Sequence, residues 1–188
     1  MSLRKKFLQN NFTYKLYLFY NLFLRHKYFL NRSSYSQWGE DIEINNYFKN
    51  KKRGKYLDIG CFHPLMYSNT CLLYKKGWSG TNIDLNQTAI DLFNIARPKD
   101  LNLCRVIGSE EKKVKVYFDS LFSPVNTANE AFYIEHKKTF FKNQFIREVV
   151  SERLQNIIKK NNIFEVDFIN IDAEGMDYQI LRQIRLDK

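Results

Sequence analysis

Short apolar runs alternate with helical patterns from residue 36 to the end of the chain. Near-continuous apolar character, which is typical of buried strands, predicts strands at 56–60, 81–84, 101–107 and 166–171. Apolar periodicity and stop signals predict helices at 69–76, 87–96 and 176–184. Strands that alternate with helices predict βαβ units, and therefore an α/β fold around a mostly parallel sheet.

The region between the third and last of these strands has a weaker pattern. Residues 113–118 read Lys-Val-Lys-Val-Tyr-Phe, an alternation that predicts a half-exposed strand. Residues 120–145 are ambiguous, part loop and part helix. A further strand is predicted at 146–150, and Ser151 is a predicted N-cap for a helix over 152–160.

The first 33 residues form a separate basic, aromatic extension, and residues 34–188 form the α/β domain. Residues 7–30 are dense in Phe, Tyr and Leu, but Lys15 and Asn21 interrupt the run, which is too short to span a membrane. The segment lacks the small-residue cleavage site of a secretory signal. Two interpretations remain open: a helix at the membrane surface, or a helix that covers the domain or a partner subunit.

The net charge of +10 is concentrated in this extension. Residues 1–39 hold seven basic residues and no acidic one, whereas the remainder holds 23 basic and 20 acidic residues. A near-neutral domain does not indicate a nucleic-acid partner. The three cysteines occur singly, without a CxxC pair, which favours a reduced, cytoplasmic protein without a zinc site.

Three acidic residues end three of the core strands, namely Asp58, Asp84 and Asp172. The carboxyl ends of parallel strands meet at one edge of a sheet, where such folds bind ligands. Asp84 follows Asp58 by one strand–helix–strand unit, so it is placed to bind both hydroxyls of a ribose. The alternative is that each Asp caps the next helix.

The turn after the first strand indicates which nucleotide this edge binds. It reads Asp-Ile-Gly-Cys-Phe-His-Pro over 58–64, with one glycine. Dinucleotide sites favour GxGxxG because the backbone approaches a pyrophosphate closely. S-adenosyl-L-methionine (SAM) has no phosphate and needs no such loop. The sequence therefore favours SAM over NAD.

Several motifs in order resemble the FkbM family of SAM-dependent methyltransferases: SQWGED at 36–41, YLDIGCFHP at 56–64, YSNT at 67–70, KGWSGTNID at 76–84 and DFINIDAEG at 167–175. The resemblance covers about residues 34–184. It implies a Rossmann-like class I methyltransferase sheet and O-methylation of a hydroxyl, on a sugar, a glycan or another small metabolite.

The resemblance also implies cofactor-binding roles, which we carry over by motif. Asp58 and Gly60 would form the SAM turn, and Asp84 would bind the ribose. The run Ser68, Asn69 and Thr70 would hold the SAM carboxylate, or would simply cap the first helix. Gly108 and Ser109, after the third strand, would flank the adenine.

Three residues are candidates for orienting or deprotonating the acceptor hydroxyl: Asp172, Glu174 and His63. Methyl transfer is an in-line displacement, so positioning supplies much of the rate. A histidine beside a proline is more often structural. The acidic pair lacks the companions that a metal site needs. Residues 124–127 are a weaker candidate for an acceptor loop, with a plain β-turn as the alternative.

Two other functions are alternatives to this one: an NAD-linked sugar enzyme, and a non-catalytic membrane-associated Rossmann-like module.

In the family that the chain resembles, the strand that corresponds to 166–171 is normally central in the sheet, with three more strands beyond it. Only one helix follows it here, so we expect a sheet that lacks its C-terminal strands and an incomplete acceptor site.

Overall fold

The computed structural model describes residues 10–141 and 144–184. Its main sheet has four parallel strands in the order β3-β2-β1-β7. Their bounds are Lys55–Ile59 for β1, Ser79–Asp84 for β2, Leu101–Cys104 for β3 and Phe168–Ile171 for β7. The parallel α/β architecture predicted from the alternating pattern is confirmed.

Seven α-helices are present in the described residues: α1 Asn11–Phe19, α2 Glu40–Tyr47, α3 Cys71–Lys75, α4 Gln87–Ala96, α5 Glu130–His136, α6 Leu154–Lys160 and α7 Asp177–Leu181. Helix α4 matches its predicted bounds because it has both a capping side chain at its start and a buried apolar face. The Asn86 side chain caps it by accepting from the Thr88 amide, and Leu92 and Phe93 are fully buried. The predicted helices at 69–76 and 176–184 are shorter in the structure, as α3 and α7.

A second, three-stranded sheet has the order β4-β6-β5, with β4 at Val106–Ile107, β5 at Lys113–Phe118 and β6 at Phe145–Glu152. The prediction of one strand over 101–107 was wrong. The chain leaves the main sheet after Cys104, and Arg105 donates its backbone N–H to the Asp84 carbonyl before β4 pairs with β6.

Ser151 lies within β6 and does not begin a helix, so its predicted capping role was wrong. Its hydroxyl contacts the carbonyls of Glu110 and Lys112, and the helix that follows, α6, has Arg153 at its N-cap. The ambiguous stretch 120–145 contains α5 and the start of β6, and residues 142–143 lie outside the described residues.

The N-terminal extension continues from α1 into a π-helix at Tyr20–Arg25 and a 3-10 helix at Lys27–Phe29. It packs on the domain through Leu18 and Leu22, which meet Leu92 of α4. Its residues Arg4, Lys5 and Lys6 lie outside the described part of the chain. Among the described residues, no helix combines the length and apolar character needed to span a bilayer.

The last strand of the main sheet, β7, pairs with β1 on one side. No strand pairs with its other side within residues 10–141 and 144–184. Packing against α6 and α7 buries the apolar side chains nearby: Leu57, Ile59, Leu154, Ile157 and Ile180 belong to one core cluster.

Candidate functional site

A cleft opens at the carboxyl ends of β1, β2 and β7, with an empty volume of about 580 Å³ that includes open solvent. Its floor is formed by strand ends, among them Gly60, Asp84 and Asp172. Its outer wall is the loop between β5 and α5, including Pro124 and Asn126. Parallel α/β sheets bind their ligands at this edge.

The strand register determines which of the three predicted aspartates reaches the cleft. Ile59 of β1 lies beside Ile83 of β2 and Ile171 of β7. Asp84 and Asp172 follow those isoleucines directly, so both lie at the rim. Asp58 precedes Ile59 and is therefore two residues deeper in the sheet.

Asp84 is held rigidly at the rim by its own backbone surroundings. One carboxylate oxygen accepts from the Phe62 amide at 2.9 Å and the other from the Asn86 amide at 2.7 Å. Burial raises the pKa of Asp84 to about 6, and the nearby charges of Asp58 and Asp172 act in the same direction. Each oxygen retains an unused acceptor position, because a carboxylate offers about four, and Asp84 lines the cleft.

Gly60 forms a turn that only glycine fits, with φ +78°. The amides of the turn are already paired inside the protein. Those of Gly60 and Cys61 donate to the Ile83 carbonyl, and that of Phe62 donates to Asp84. The turn therefore offers the cleft no free cluster of N–H groups of the kind that holds phosphate.

Asp172 and Glu174 line the cleft without a hydrogen-bond partner for either carboxylate among the described residues. Partial burial raises the pKa of Asp172, and the Asp177 and Asp58 charges add to the effect. Partial burial also raises the pKa of Glu174, with Asp172 and Asp177 as further causes. Two unpaired carboxylates with raised pKa values are suited to accept a proton.

The backbone around Glu174 is strained, and hydrogen bonds from neighbouring side chains hold it in place. Glu174 has φ +25°, which is unusual for a residue with a side chain. The Thr127 hydroxyl donates to the Glu174 carbonyl at 2.8 Å, and the Asn129 side-chain amide donates to the Gly175 carbonyl at 2.6 Å. The loop between β5 and α5 thus fixes the segment that carries the acidic pair.

The predicted acceptor loop at 124–127 lies on this wall. Pro124 and Asn126 line the cleft, while Thr127 pairs with Tyr117 in a β-bridge. Ser123, also in the lining, is 9% exposed and its hydroxyl makes no hydrogen bond within the described residues. The role of residues 124–127 toward an acceptor stays a prediction.

Comparison with known families agrees with the parallel sheet. The model of the methyltransferase FkbM domain matches residues 48–188. The chain belongs to the FkbM methyltransferase family. No match to the chain was found among curated proteins or among solved structures.

Five residues of the FkbM motifs, three of them buried, form a hydrogen-bonded network. The Asp58 carboxylate accepts from the Thr70 hydroxyl at 2.6 Å and from the Asn170 amide at 2.9 Å. Asn69 donates to Asn170 in turn. Ser68, whose hydroxyl lies 3.4 Å from that of Thr70, is 2% exposed and, like the other four, does not line the cleft. None of Asp58, Ser68, Asn69 and Thr70 lines the cleft, and their roles toward the cofactor stay predictions.

The centre of this network is Arg97, which the sequence did not single out. Its guanidinium is 1% exposed and donates to the hydroxyls of Ser68 and Thr70 and to the Pro64 carbonyl. Arg97 follows helix α4 directly, and no pattern in the sequence shows that its side chain turns inward. Thr70 makes no side-chain cap on α3, so the capping alternative for the 68–70 run was wrong.

His63 of the FkbM motif at 56–64 is fully buried and lies outside the cleft lining. Its Nδ1 accepts from the Leu65 and Met66 amides, both at 3.0 Å. Burial lowers the pKa of His63 to about 3, and the neighbouring His26 contributes. These contacts fold the loop, and they leave Nδ1 no capacity to take a proton from an acceptor.

Gly108 and Ser109, which were predicted to flank the adenine, do not line the cleft. The Gly108 carbonyl accepts from the Gln183 side chain, and the Ser109 carbonyl accepts from Arg153.

Arg105 lines the cleft but was not predicted from the sequence, and it is the one cation among the described lining residues. Its position between β3 and β4, where the chain changes sheets, could not be read from a run predicted as one strand.

Proposed function

We propose that this FkbM methyltransferase is a SAM-dependent O-methyltransferase that methylates a hydroxyl group of a sugar, a glycan or another small metabolite. Members of the family typically use SAM. The family membership supports methyl transfer, and the residues of the cleft support this cofactor and this kind of acceptor.

The charge of the cleft carries the proposal. Three carboxylates, those of Asp84, Asp172 and Glu174, line the cleft together with one cation, Arg105, whose guanidinium lies 3.8 Å from the Glu152 carboxylate. SAM carries a sulfonium and an ammonium against one carboxylate, so its net charge is positive and complementary to this lining. NAD carries two phosphates, which three carboxylates would repel and which the paired amides of the Gly60 turn could not hold.

The residues present fit a bound SAM at two points. Asp84 lines the cleft, keeps an unused acceptor position on each oxygen, and would accept from both ribose hydroxyls. Leu85, Val106 and Ile107 add an apolar surface for the adenine ring.

When bound, SAM supplies an electrophilic methyl carbon, and the acceptor oxygen replaces sulfur on that carbon. The residues of this chain have to hold the acceptor oxygen in line and remove its proton. Asp172 or Glu174 would accept that proton, because both carboxylates are unpaired and have raised pKa values. The carboxylic acid so formed would return the proton to water.

The test is transfer of a radiolabelled methyl group from SAM to a panel of sugars, glycans and small hydroxylated metabolites. We expect label in at least one hydroxyl compound and none in its analogue whose hydroxyls are replaced by hydrogen. Label only in amine-containing compounds would contradict O-methylation, while the methyltransferase assignment would stand.

A further inference from the structure

The N-terminal extension has two apolar faces, and the domain covers one of them. Helix α1 and the π-helix after it carry a stripe of large exposed side chains, each at least 45% exposed: Phe12, Leu16, Phe19, Tyr20, Phe23 and Leu24. Their spacing is helical, so they lie on one side of the extension. We call this set the outer stripe.

The opposite side of the same helices is fixed to the domain. Leu18 and Leu22 are 4% and 1% exposed and pack against Leu92. The Tyr14 hydroxyl donates to the Asp91 carboxylate at 2.6 Å. The outer stripe is therefore presented by a docked helix, and it is not the apolar face by which the extension folds onto the domain.

Exposed cations accompany the outer stripe. Lys15 lies within it on α1, and Arg25 and Lys27 follow at its end, all of them exposed. Within residues 10–141 and 144–184, none of these three forms an ion pair with a carboxylate. The first 39 residues contain no acidic residue at all.

We propose that the outer stripe docks on the surface of an anionic phospholipid bilayer. Aromatic and leucine side chains insert at the boundary between head groups and acyl chains, and nearby lysines and arginines attract anionic lipid. A contiguous apolar surface of this kind is unusual on a soluble monomer. Pairing of two copies through this face would bring like charges together without an acid to offset them.

The chemistry of the stripe favours a lipid surface in a second way. Phe19 and Phe23 contact each other, with ring centroids 5.7 Å apart. Tyr20 within the stripe and Tyr28 beyond it have amphipathic rings, which prefer the level of the head groups.

The experiment is co-sedimentation of the full chain with vesicles of phosphatidylcholine alone or mixed with phosphatidylserine, at low and high salt. We expect partition onto the anionic vesicles that is at least tenfold stronger than onto the neutral ones, and weaker at high salt. The double variant Phe19→Ser/Phe23→Ser should lose about tenfold or more of this partition. Lys15→Glu/Arg25→Glu, which keeps the stripe, should lose about tenfold or more.

Phe164→Ser, at an exposed phenylalanine in the loop before β7, is the matched control and should bind vesicles like the unaltered chain. Circular dichroism should be the same for all variants, so that loss of binding is not loss of fold. The proposal is overturned if the chain ignores anionic vesicles. It is also overturned if Phe19→Ser/Phe23→Ser binds them normally, or if that variant converts a dimer to a monomer without affecting vesicle binding.

Discussion

Gly60 lies against the backbone of Asp172, so closely that a β-carbon on Gly60 would come within 1.8 Å of the Asp172 carbonyl oxygen. The turn after β1 and the exit from β7 are thereby pressed together at the cleft floor. This contact explains why the turn needs a glycine even though no phosphate loop is present. It also joins the cofactor side of the proposed site to its acceptor side.

Substitution of Gly60 separates the effect of this contact from that of backbone strain. Gly60→Ala should lower the free energy of unfolding by about 2–5 kcal/mol, since the left-handed backbone and the steric clash both oppose the methyl group. Gly39→Ala is the matched control, because Gly39 has φ +96° and a β-carbon there meets nothing within 4 Å. It should cost only about 1–2 kcal/mol in urea unfolding. Equal losses would show that the Asp172 contact has no energetic effect.

A second prediction concerns the buried guanidinium of Arg97. Arg97→Ala should lower the free energy of unfolding by about 3–5 kcal/mol, because it leaves Asp58 buried without a nearby positive charge. Lys99→Ala, two residues away at an exposed position, should change it by less than about 0.5 kcal/mol. Arg97→Lys keeps the charge and should fall between the two. A loss below 1 kcal/mol for Arg97→Ala would contradict the importance of the network.

The fold followed from the sequence wherever local and global signals agree. The apolar runs at β1, β2 and β7 have the predicted type and place because their near-continuous apolar character is typical of parallel strands covered by helices. Helix α4 has the predicted bounds because it combines a side-chain cap with a buried apolar face. The break at Arg105 was not predicted, because a run such as 101–107 does not show which of two sheets each residue joins.

The site was predictable only in part, because side-chain direction depends on register. Asp58 and Asp84 look equivalent in the sequence, but the pairing of Asp58 with Asn82 places Asp58 two residues deeper. Asp84 and Asp172 reach the cleft as expected from strand ends. Arg97 and Arg105 were missed, since only the tertiary structure shows one turned inward and the other in the cleft lining.

A third prediction follows from the raised pKa of Asp84, about 6. If the ionised carboxylate binds SAM, affinity should be constant above pH 7 and fall as the pH drops through 6, by about tenfold at pH 5. The direction is a loss on acidification, because protonation removes both the charge and acceptor positions. Titration of the full chain with SAM between pH 5 and 8 measures this step. In Asp84→Asn the step should vanish, and its persistence there would assign it to another group.

A fourth prediction separates the acidic pair from the cofactor. Asp172→Asn or Glu174→Gln should reduce the rate of methyl transfer by about a hundredfold or more if that residue accepts the acceptor's proton, with SAM affinity changed by less than about threefold. Glu165→Gln, at an exposed carboxylate outside the cleft lining, is the control and should leave both quantities unaltered. Parallel losses of rate and SAM affinity in Asp172→Asn and Glu174→Gln would assign these residues to cofactor binding or folding.

The most direct test of the central claim is calorimetric titration of the unaltered chain and of Asp84→Ala with SAM and with NAD. We predict that the unaltered chain binds SAM and not NAD. In Asp84→Ala the affinity for SAM should fall by about 30- to 100-fold, which corresponds to roughly 2–3 kcal/mol for a lost charge-assisted hydrogen-bond acceptor. Far-ultraviolet circular dichroism should show that the variant stays folded. Binding of NAD in place of SAM, or equal SAM affinity in the folded variant, would contradict the account.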